Sequence, residues 1–281
     1  MKRYATLLEA IYRLYEHSGF AMAGAVAFAF VVSLFPFCIF LGALSGIFGG
    51  RELAARAVEQ LFQILPESVA AGLAPEIVNV MGNSRIDLLT VSAFLALFFA
   101  TSAIETMRAA LNGAYRVQET RPYPLCLLIS MIFVFVSALS MLVLTWAVVF
   151  GPSIAARFEP SWAKSLLDST WMAVGLRYGL AASVIGSQLV AFHLWLAAGR
   201  RRIADVWPGV AMSILLWLSI AAFYSYYLAL YDWARFYAGL SQLMVALIFF
   251  QFTAIIIILG AELNRGIMEL KRMRNGVEQT T

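Results

Sequence analysis

Six long apolar stretches constrain this chain more than any other feature of its sequence. They are Ala21–Phe48, Leu88–Met107, Leu125–Val149, Trp171–Ala197, Trp207–Leu230 and Leu240–Glu262. A helix that crosses a bilayer needs about 20 mostly apolar residues, and each stretch meets that length. The stretches lack the alternation of barrel strands, and lipid requires backbone groups to be bonded within the segment. The sequence therefore predicts an all-α, polytopic membrane bundle with six spans.

Composition excludes the common soluble classes. Of the 281 residues, 62% are hydrophobic and 13% are charged, whereas soluble domains average roughly 45–50% apolar and about 25% charged residues. Such a chain could not cover its apolar surface in water, which excludes a soluble enzyme and a disordered tail. Cys38 and Cys126 lie in apolar runs without paired spacing, so neither a disulfide framework nor a zinc site is expected.

The chain divides into an N-terminal helix, a spanning domain and a tail. Residues 1–18 place Tyr4, Leu7, Leu8, Ile11 and Leu14 on one helical face. This pattern predicts an amphipathic helix that lies in the membrane interface, or alternatively packs on the bundle. The spanning domain is 19–266 and includes a periplasmic connection of short helices at 49–87. A basic cytoplasmic tail occupies 267–281.

The distribution of Lys and Arg predicts the orientation. Thirteen of them lie in the N-terminal segment, the loops after the second and fourth spans, and the tail, whereas six lie in the connections on the opposite side. Cytoplasmic loops carry the excess of positive charge in membrane proteins. Both termini are therefore predicted to be cytoplasmic, which agrees with an even number of spans.

Sequence motifs of catalysis are missing. The chain holds no HExxH, CxxC, Walker or GxSxG pattern, and its two histidines, His17 and His193, lie on different segments. These patterns supply the ligands, bases and phosphate cradles of known enzyme classes. We therefore expect no enzymatic activity, no cofactor, no metal and no nucleic-acid partner.

A polar stripe marks the end of the second span. Thr101, Glu105, Arg108 and Asn112 recur at helical spacing and share one face, and Glu105 and Arg108 can pair. Two interpretations remain open: Arg108 reaches lipid headgroups at the helix end, or the stripe is a charged wall facing the bundle interior. Glu262 is expected at the same depth, where it would join Glu105 and Arg108.

Further polar residues lie within other spans. Arg177 and Gln188 share a face of the fourth span, and Arg177 either reaches the outer headgroups or binds an anionic group inside the bundle. Gln251 should form a hydrogen bond across helices near mid-membrane. Pro36 should kink the first span. Arginines predicted to contact headgroups are Arg116, Arg200, Arg201, Arg202 and Arg265.

Four short motifs carry a resemblance to a known family. They are Ser33-Leu34-Phe35-Pro36, Ala110-Leu111-Asn112 with Tyr115-Arg116, Asp205-Val206-Trp207-Pro208-Gly209, and Leu259-Gly260-Ala261-Glu262-Leu263-Asn264. Their order and spacing resemble the YihY/BrkB family of bacterial inner-membrane proteins. The resemblance implies a multi-pass protein of the cytoplasmic membrane. Members were long labelled ribonuclease BN, a label that the missing nuclease residues disfavour here.

The resemblance also suggests a function. Other members are linked to envelope integrity, serum resistance and export of lipids or lipopolysaccharide precursors. The expected function is therefore a transporter or flippase that moves an amphipathic, anionic envelope lipid or a related solute. Its partners would be membrane lipids, such as an anionic phospholipid or a lipopolysaccharide precursor. The alternative is a non-transporting scaffold in which the charges within the spans hold helices together.

Overall fold

The structure is a computed structural model that describes residues 4–48, 86–155, 170–230 and 240–278. The described residues form seven helices and no strand: α1 Tyr4–Glu16, α2 Gly19–Phe48, α3 Ile86–Tyr115, α4 Tyr123–Ala155, α5 Thr170–Ala191, α6 Ile203–Leu230 and α7 Leu240–Glu278. A π-helical turn, Phe192–Leu196, continues α5. The predicted all-α class is confirmed.

The helices have the lengths that membrane crossing requires. Five of the described helices contain apolar windows of spanning length: Gly19–Phe37, Leu89–Tyr115, Tyr123–Leu144, Ile203–Ile220 and Leu243–Arg274. The remaining predicted span, the fourth, falls on α5, whose described apolar segment Ala182–Leu196 is shorter. These lengths agree with a polytopic six-span bundle. The short helices predicted in the connection at 49–87 lie outside the described residues as far as residue 85.

Two helices extend well beyond their apolar stretches. The second apolar stretch ends at Met107, but α3 continues to Tyr115, and α7 continues from Glu262 to Glu278. Polar residues such as Glu, Arg and Lys are good helix formers, so the end of a hydrophobic stretch need not end the helix. The predicted tail is therefore largely helical, and the polar stripe of α3 stands on a continuous helix.

Helix α7 lies at the centre of the described bundle. It packs on α1, α2, α3 and α6, while α4 packs on α3 and α5, and α5 also contacts α6. Fully buried alanines line these contacts: Ala23, Ala103, Ala110, Ala254 and Ala261. Small residues allow helix backbones to approach closely, which drives association where lipid offers no hydrophobic gain.

Helix α1 packs on the bundle along one edge. Ala10 and Leu14 are buried against α7 and α2, and Arg13 Nη1 lies 2.9 Å from a carboxylate oxygen of Glu269 on α7. The opposite edge exposes Leu8 and Tyr12, together with Ile11 and Tyr15. The structure therefore shows α1 packed on the bundle with an apolar edge uncovered, and its location in the membrane interface stays a prediction.

Candidate functional site

The polar contacts of the described helices concentrate at one end of the bundle, which we call the arginine-rich end. It comprises α1, the starts of α2, α4 and α6, the ends of α3 and α5, and the C-terminal half of α7. Arg116 after α3 lies 2.9 Å from His17 Nδ1 after α1, and Lys271 of α7 lies 3.6 Å from Asp205 of α6. Successive long helices therefore run in alternating directions.

A network of two carboxylates and two arginines joins α3 to the α3–α4 loop. Arg108 donates to Glu105 and, at 2.9 Å, to Glu119. Arg121 holds Glu119 in a fork, with Nε and Nη2 each 2.8 Å from a different carboxylate oxygen. Ser130 of α4 donates to Glu105. We call these four charged residues the carboxylate network; the hydrogen bonds from Arg121 lower the pKa of Glu119, which lies in the loop.

The carboxylate network also fixes the end of α5. Arg121 donates to the carbonyl oxygens of Trp195 at 3.0 Å and Leu196 at 2.9 Å. The Asn112 amide accepts the N–H of Ala198 at 2.7 Å and donates to Glu119 at 3.2 Å. A helix end leaves carbonyl oxygens without helical partners, so these side chains satisfy groups that would otherwise be unbonded.

A second, largely buried cluster joins α3, α5, α6 and α7. The Tyr115 hydroxyl lies 2.9 Å from His193 Nδ1 and accepts from the Asn264 amide at 3.2 Å. Asn264 Oδ1 accepts the Gly209 N–H at 2.7 Å. Arg201 stacks on the Tyr115 ring with its guanidinium carbon 3.7 Å from the ring centroid. We call Tyr115, His193, Asn264, Gly209 and Arg201 the tyrosine cluster.

Glycines make the tyrosine cluster tight. A Cβ added to Gly209 would overlap the carbonyl oxygen of Gly260 and the side chain of Asn264, and a Cβ added to Gly260 would overlap Ser213 Oγ. Helices α6 and α7 therefore cross with their backbones in contact.

Arg201 also holds the end of α5 to the tyrosine cluster. Burial lowers the pKa of its guanidinium, which donates a hydrogen bond at 2.9 Å to the carbonyl oxygen of His193.

The structure places Glu262 in a third group rather than beside Glu105 and Arg108. Its side chain is 1% exposed, and Oε1 lies 3.8 Å from Arg116 Nη2. Arg108 instead pairs with Glu105 and Glu119 on the side of α3 that faces α4. Arg116 has a φ of 53°, so the chain leaves the helical path there and its side chain reaches α7.

The other predicted polar residues are spread along the helices. Gln188 of α5 donates to Ser140 of α4, and Gln251 is half-buried on α7. Arg177 belongs to α5, but its side chain lies outside the described part of the structure. Pro36 is buried within α2, which remains helical to Phe48; the kink stays a prediction. None of these residues joins the three groups above.

The arginines predicted to contact headgroups divide into two sets. Arg116 and Arg201 bind protein groups as described, and Arg265 pairs with Glu269 at 2.5 Å. Arg200 and Arg202 are exposed at the surface of the arginine-rich end. The second set is open to headgroups, and Arg116 also keeps 30% of its side chain exposed.

A groove of about 530 Å³ runs between α3 and α4. Its walls are Phe94, Leu97, Phe98, Thr101, Ser102 and Glu105 of α3 with Tyr123, Leu127 and Met131 of α4. Thr101 is 4% exposed, yet its hydroxyl has no hydrogen-bond partner. An apolar cleft with a few convergent polar groups is the usual form of a ligand site.

Sequence reasoning missed several members of these groups. Glu119 and Arg121 lie outside the spans. Only the position of Glu119 between Arg116 and Arg121 in one loop could have indicated an ion pair there. Asn264 is an amide at the end of an apolar run and carried a usable signal, because such a group needs a partner. His193 carried none, because its partner Tyr115 is distant in sequence. Within the described residues, no group of three or more His, Cys, Asp or Glu side chains could hold a metal.

The fold and these buried polar groups define a polytopic helical membrane protein. The chain belongs to the virulence factor BrkB family, whose sequence profile matches residues 10–280. This membership confirms the resemblance seen in the four motifs. Residues from three of the motifs, namely Tyr115, Gly209 and Asn264, meet in the tyrosine cluster.

One curated relative is similar over nearly the whole chain. It is a Bacillus subtilis (strain 168) protein named "Putative ribonuclease-like protein YfkH", 26% identical over 275 residues that cover 95% of this chain and 96% of the relative. No solved structure matches this chain.

Proposed function

We propose that this protein moves an amphipathic envelope lipid between the two leaflets of the membrane, without enzymatic chemistry. The observation that carries the proposal is the groove between α3 and α4, which combines apolar walls with polar groups near the arginine-rich end. Its walls Phe94 and Phe98 are 69% and 58% exposed, and Leu128, next to the wall residue Leu127 on α4, is 53% exposed. Large apolar side chains exposed on spanning helices face lipid, so the groove is open to a lipid that approaches from the side.

The orientation of the groove follows from the positive-inside rule. We propose that the arginine-rich end faces the cytoplasm in a bacterial inner membrane, with both termini on that side. Arg200 and Arg202 would then lie at the level of the inner-leaflet headgroups, where each positive charge adds about 1 kcal/mol of attraction to anionic lipid. The sequence holds no nucleotide-binding motif, so we propose that movement is passive, driven by a gradient or dependent on a partner.

A scaffold is the second candidate, and one observation favours it. The charged residues of the carboxylate network bond to each other and to backbone carbonyls, as Arg121 does to Glu119 and Leu196. Such bonds hold helices together and require no transport. The two functions therefore differ at the groove: a transporter passes lipid through it, whereas a scaffold does not use it.

Leaflet exchange in proteoliposomes distinguishes the two functions. Liposomes carry a fluorescent phospholipid in one leaflet, and loss of asymmetry is followed with and without the purified protein. We expect the wild type to accelerate the loss and Leu97→Trp, which fills the groove, to slow it. Leu128→Trp adds the same ring to the lipid-facing side of α4 and should leave the rate unchanged. Exchange no faster than in protein-free liposomes, across several lipid classes, would overturn transport and favour the scaffold.

A further inference from the structure

We propose that the groove between α3 and α4 selects a zwitterionic lipid whose headgroup carries a primary ammonium, and that Glu105 binds this ammonium. The inference rests on the proposed function in one respect, because it takes the same groove as the lipid site. It differs from the anionic lipid expected from the sequence. Three properties of the groove carry it: the charge of its walls, the state of the nearby arginines, and the position of an unpaired hydroxyl.

The first property is the sign of the charge in the groove. Among the described residues that line the groove, Glu105 carries the acidic side chain and none is basic; the other ionisable group is the phenol of Tyr123. The side chain of Glu105 is 18% exposed, and its carboxylate accepts one hydrogen bond from Ser130 and one from Arg108. A carboxylate has about four acceptor positions, so it retains positions for a donor that enters from the groove.

The second property is that the arginines near the groove, Arg108 and Arg121, are already bonded to protein groups. Arg108 donates to two carboxylates, and Arg121 donates to Glu119 and to two carbonyl oxygens. Two acids and two arginines leave the carboxylate network neutral. The network therefore offers no net positive charge to an anionic headgroup, whereas Glu105, which lines the groove, offers an opposite charge to the ammonium of a zwitterionic headgroup.

The third property is the hydroxyl of Thr101, one helical turn from Glu105. Hydroxyls in membrane helices usually bond to a carbonyl of the preceding turn, as Thr106 does to Ser102 at 2.9 Å and Thr253 does to Phe249 at 3.0 Å. Thr101 makes no such bond although it is buried and lines the groove. Buried polar groups are normally satisfied, so this hydroxyl is placed to bond a polar group of the bound lipid.

The arrangement of these groups matches one orientation of a lipid. Phe94 and Glu105 are about 16 Å apart along α3 at 1.5 Å per residue, and the wall between them becomes apolar beyond Thr101. A headgroup at Glu105 would lie toward the arginine-rich end, and an acyl chain would extend past Leu97 and Phe98 toward mid-membrane. This is the orientation of a lipid in the leaflet at that end.

Lipid retention measured by native mass spectrometry tests the inference. The full-length protein is equilibrated in detergent with phosphatidylethanolamine, phosphatidylglycerol or phosphatidylcholine of identical acyl chains. We expect wild type to prefer phosphatidylethanolamine over phosphatidylglycerol by about tenfold, the size of one charge-assisted hydrogen bond. Phosphatidylcholine should bind more weakly than phosphatidylethanolamine, because its quaternary ammonium has no N–H to donate.

Two variants and a control locate the effect. Glu105→Gln should remove the preference between phosphatidylethanolamine and phosphatidylglycerol while lipid remains bound. Thr101→Val should weaken binding of each lipid several-fold without changing the preference. Glu9→Gln removes an exposed carboxylate on α1, outside the groove, and should behave as wild type.

The possible results separate the inference from the proposed function. Equal binding of the two lipids by wild type, or a preference for phosphatidylglycerol, would overturn the headgroup assignment whether or not leaflet exchange is observed. Retention unchanged by Leu97→Trp would overturn the groove as the lipid site. Selective binding of phosphatidylethanolamine without leaflet exchange would overturn transport and leave the headgroup assignment standing.

Discussion

The tyrosine cluster and the α3–α4 groove lie near the same end of the bundle, and both contain buried polar side chains, but they differ in available space. At Gly209 there is no room for a single added methyl group, and the N–H and amide groups there bond to each other across helices. In the groove about 530 Å³ is open, and the Thr101 hydroxyl has no partner. The buried Nε2 of His193 also lacks a partner, in a cluster where the backbones of α6 and α7 are in contact.

The difference separates two uses of polar residues in membrane helices. Where helices are in contact, an amide such as Asn264 supplies the hydrogen bonds that neighbouring polar groups would otherwise make to water, and it fixes how the helices cross. Where a groove opens between helices, a hydroxyl such as Thr101 has no protein partner and is available to a ligand. Substitutions in the cluster should therefore reduce stability, whereas substitutions in the groove should change lipid binding.

Gly209→Ala should have the largest effect on stability. The new methyl group would overlap the backbone of Gly260 and the side chain of Asn264, so α6 and α7 must separate. Overpacking of this kind costs up to about 3 kcal/mol, measured as a lower thermal unfolding midpoint in detergent. Gly179→Ala on α5, where a Cβ meets nothing within 4 Å, is the matched control. Equal midpoints for the two variants would contradict the close crossing.

Asn264→Leu should have the next largest effect. It removes the acceptor of the Gly209 N–H and the donor to the Tyr115 hydroxyl. Each buried polar group left without a partner costs about 1–3 kcal/mol, and we expect a loss of about 2 kcal/mol in unfolding free energy. Tyr115→Phe removes one of these bonds, so the double variant should lose less than the sum of the single losses. Strict additivity would contradict a shared cluster.

The periodicity of α3 made part of this arrangement predictable. Helical spacing placed Thr101, Glu105 and Arg108 on one face, and the structure shows the Glu105–Arg108 pair. The spacing could not tell that Glu262 pairs with Arg116 instead. That choice depends on the rotation of α7 against α3 and on the positive φ of Arg116, neither of which leaves a pattern within one helix.

The groove was less predictable than the fold. Hydropathy predicts spans because each crossing must bury a fixed length of apolar chain, and this requirement is local. A groove depends on how side chains of two helices, such as Phe98 and Leu127, fill the space between them. The sequence placed Thr101 on the polar stripe but could not show that its hydroxyl would be unpaired.

Glu119→Gln should lower stability by a smaller amount that depends on pH. The bonds from Arg121 hold the folded-state pKa of Glu119 below its usual value of 4.5, so the unfolded chain takes up the proton first as pH falls. This stabilisation is present above about pH 4.5 and is lost as pH falls toward the folded-state pKa. We expect the variant to lose about 1 kcal/mol at pH 7 and the difference from wild type to shrink below pH 4.5. If the difference in unfolding free energy between wild type and the variant stayed constant from pH 7 to pH 3, ionisation of Glu119 would not be the source of the stabilisation.

Thr101→Val should have the smallest effect on stability and therefore separates the groove from the cluster most sharply. Valine has nearly the same shape as threonine, and the lost hydroxyl had no protein partner, so lipid-free protein should unfold at the same temperature or slightly above wild type. Thr106→Val is the control, because that hydroxyl bonds to the Ser102 carbonyl and lies outside the groove walls. The stabilisation that added lipid gives to wild type should be reduced only in Thr101→Val. A loss of stability in lipid-free Thr101→Val would mean that the hydroxyl serves the fold as Asn264 does, and the contrast between the two regions would fail.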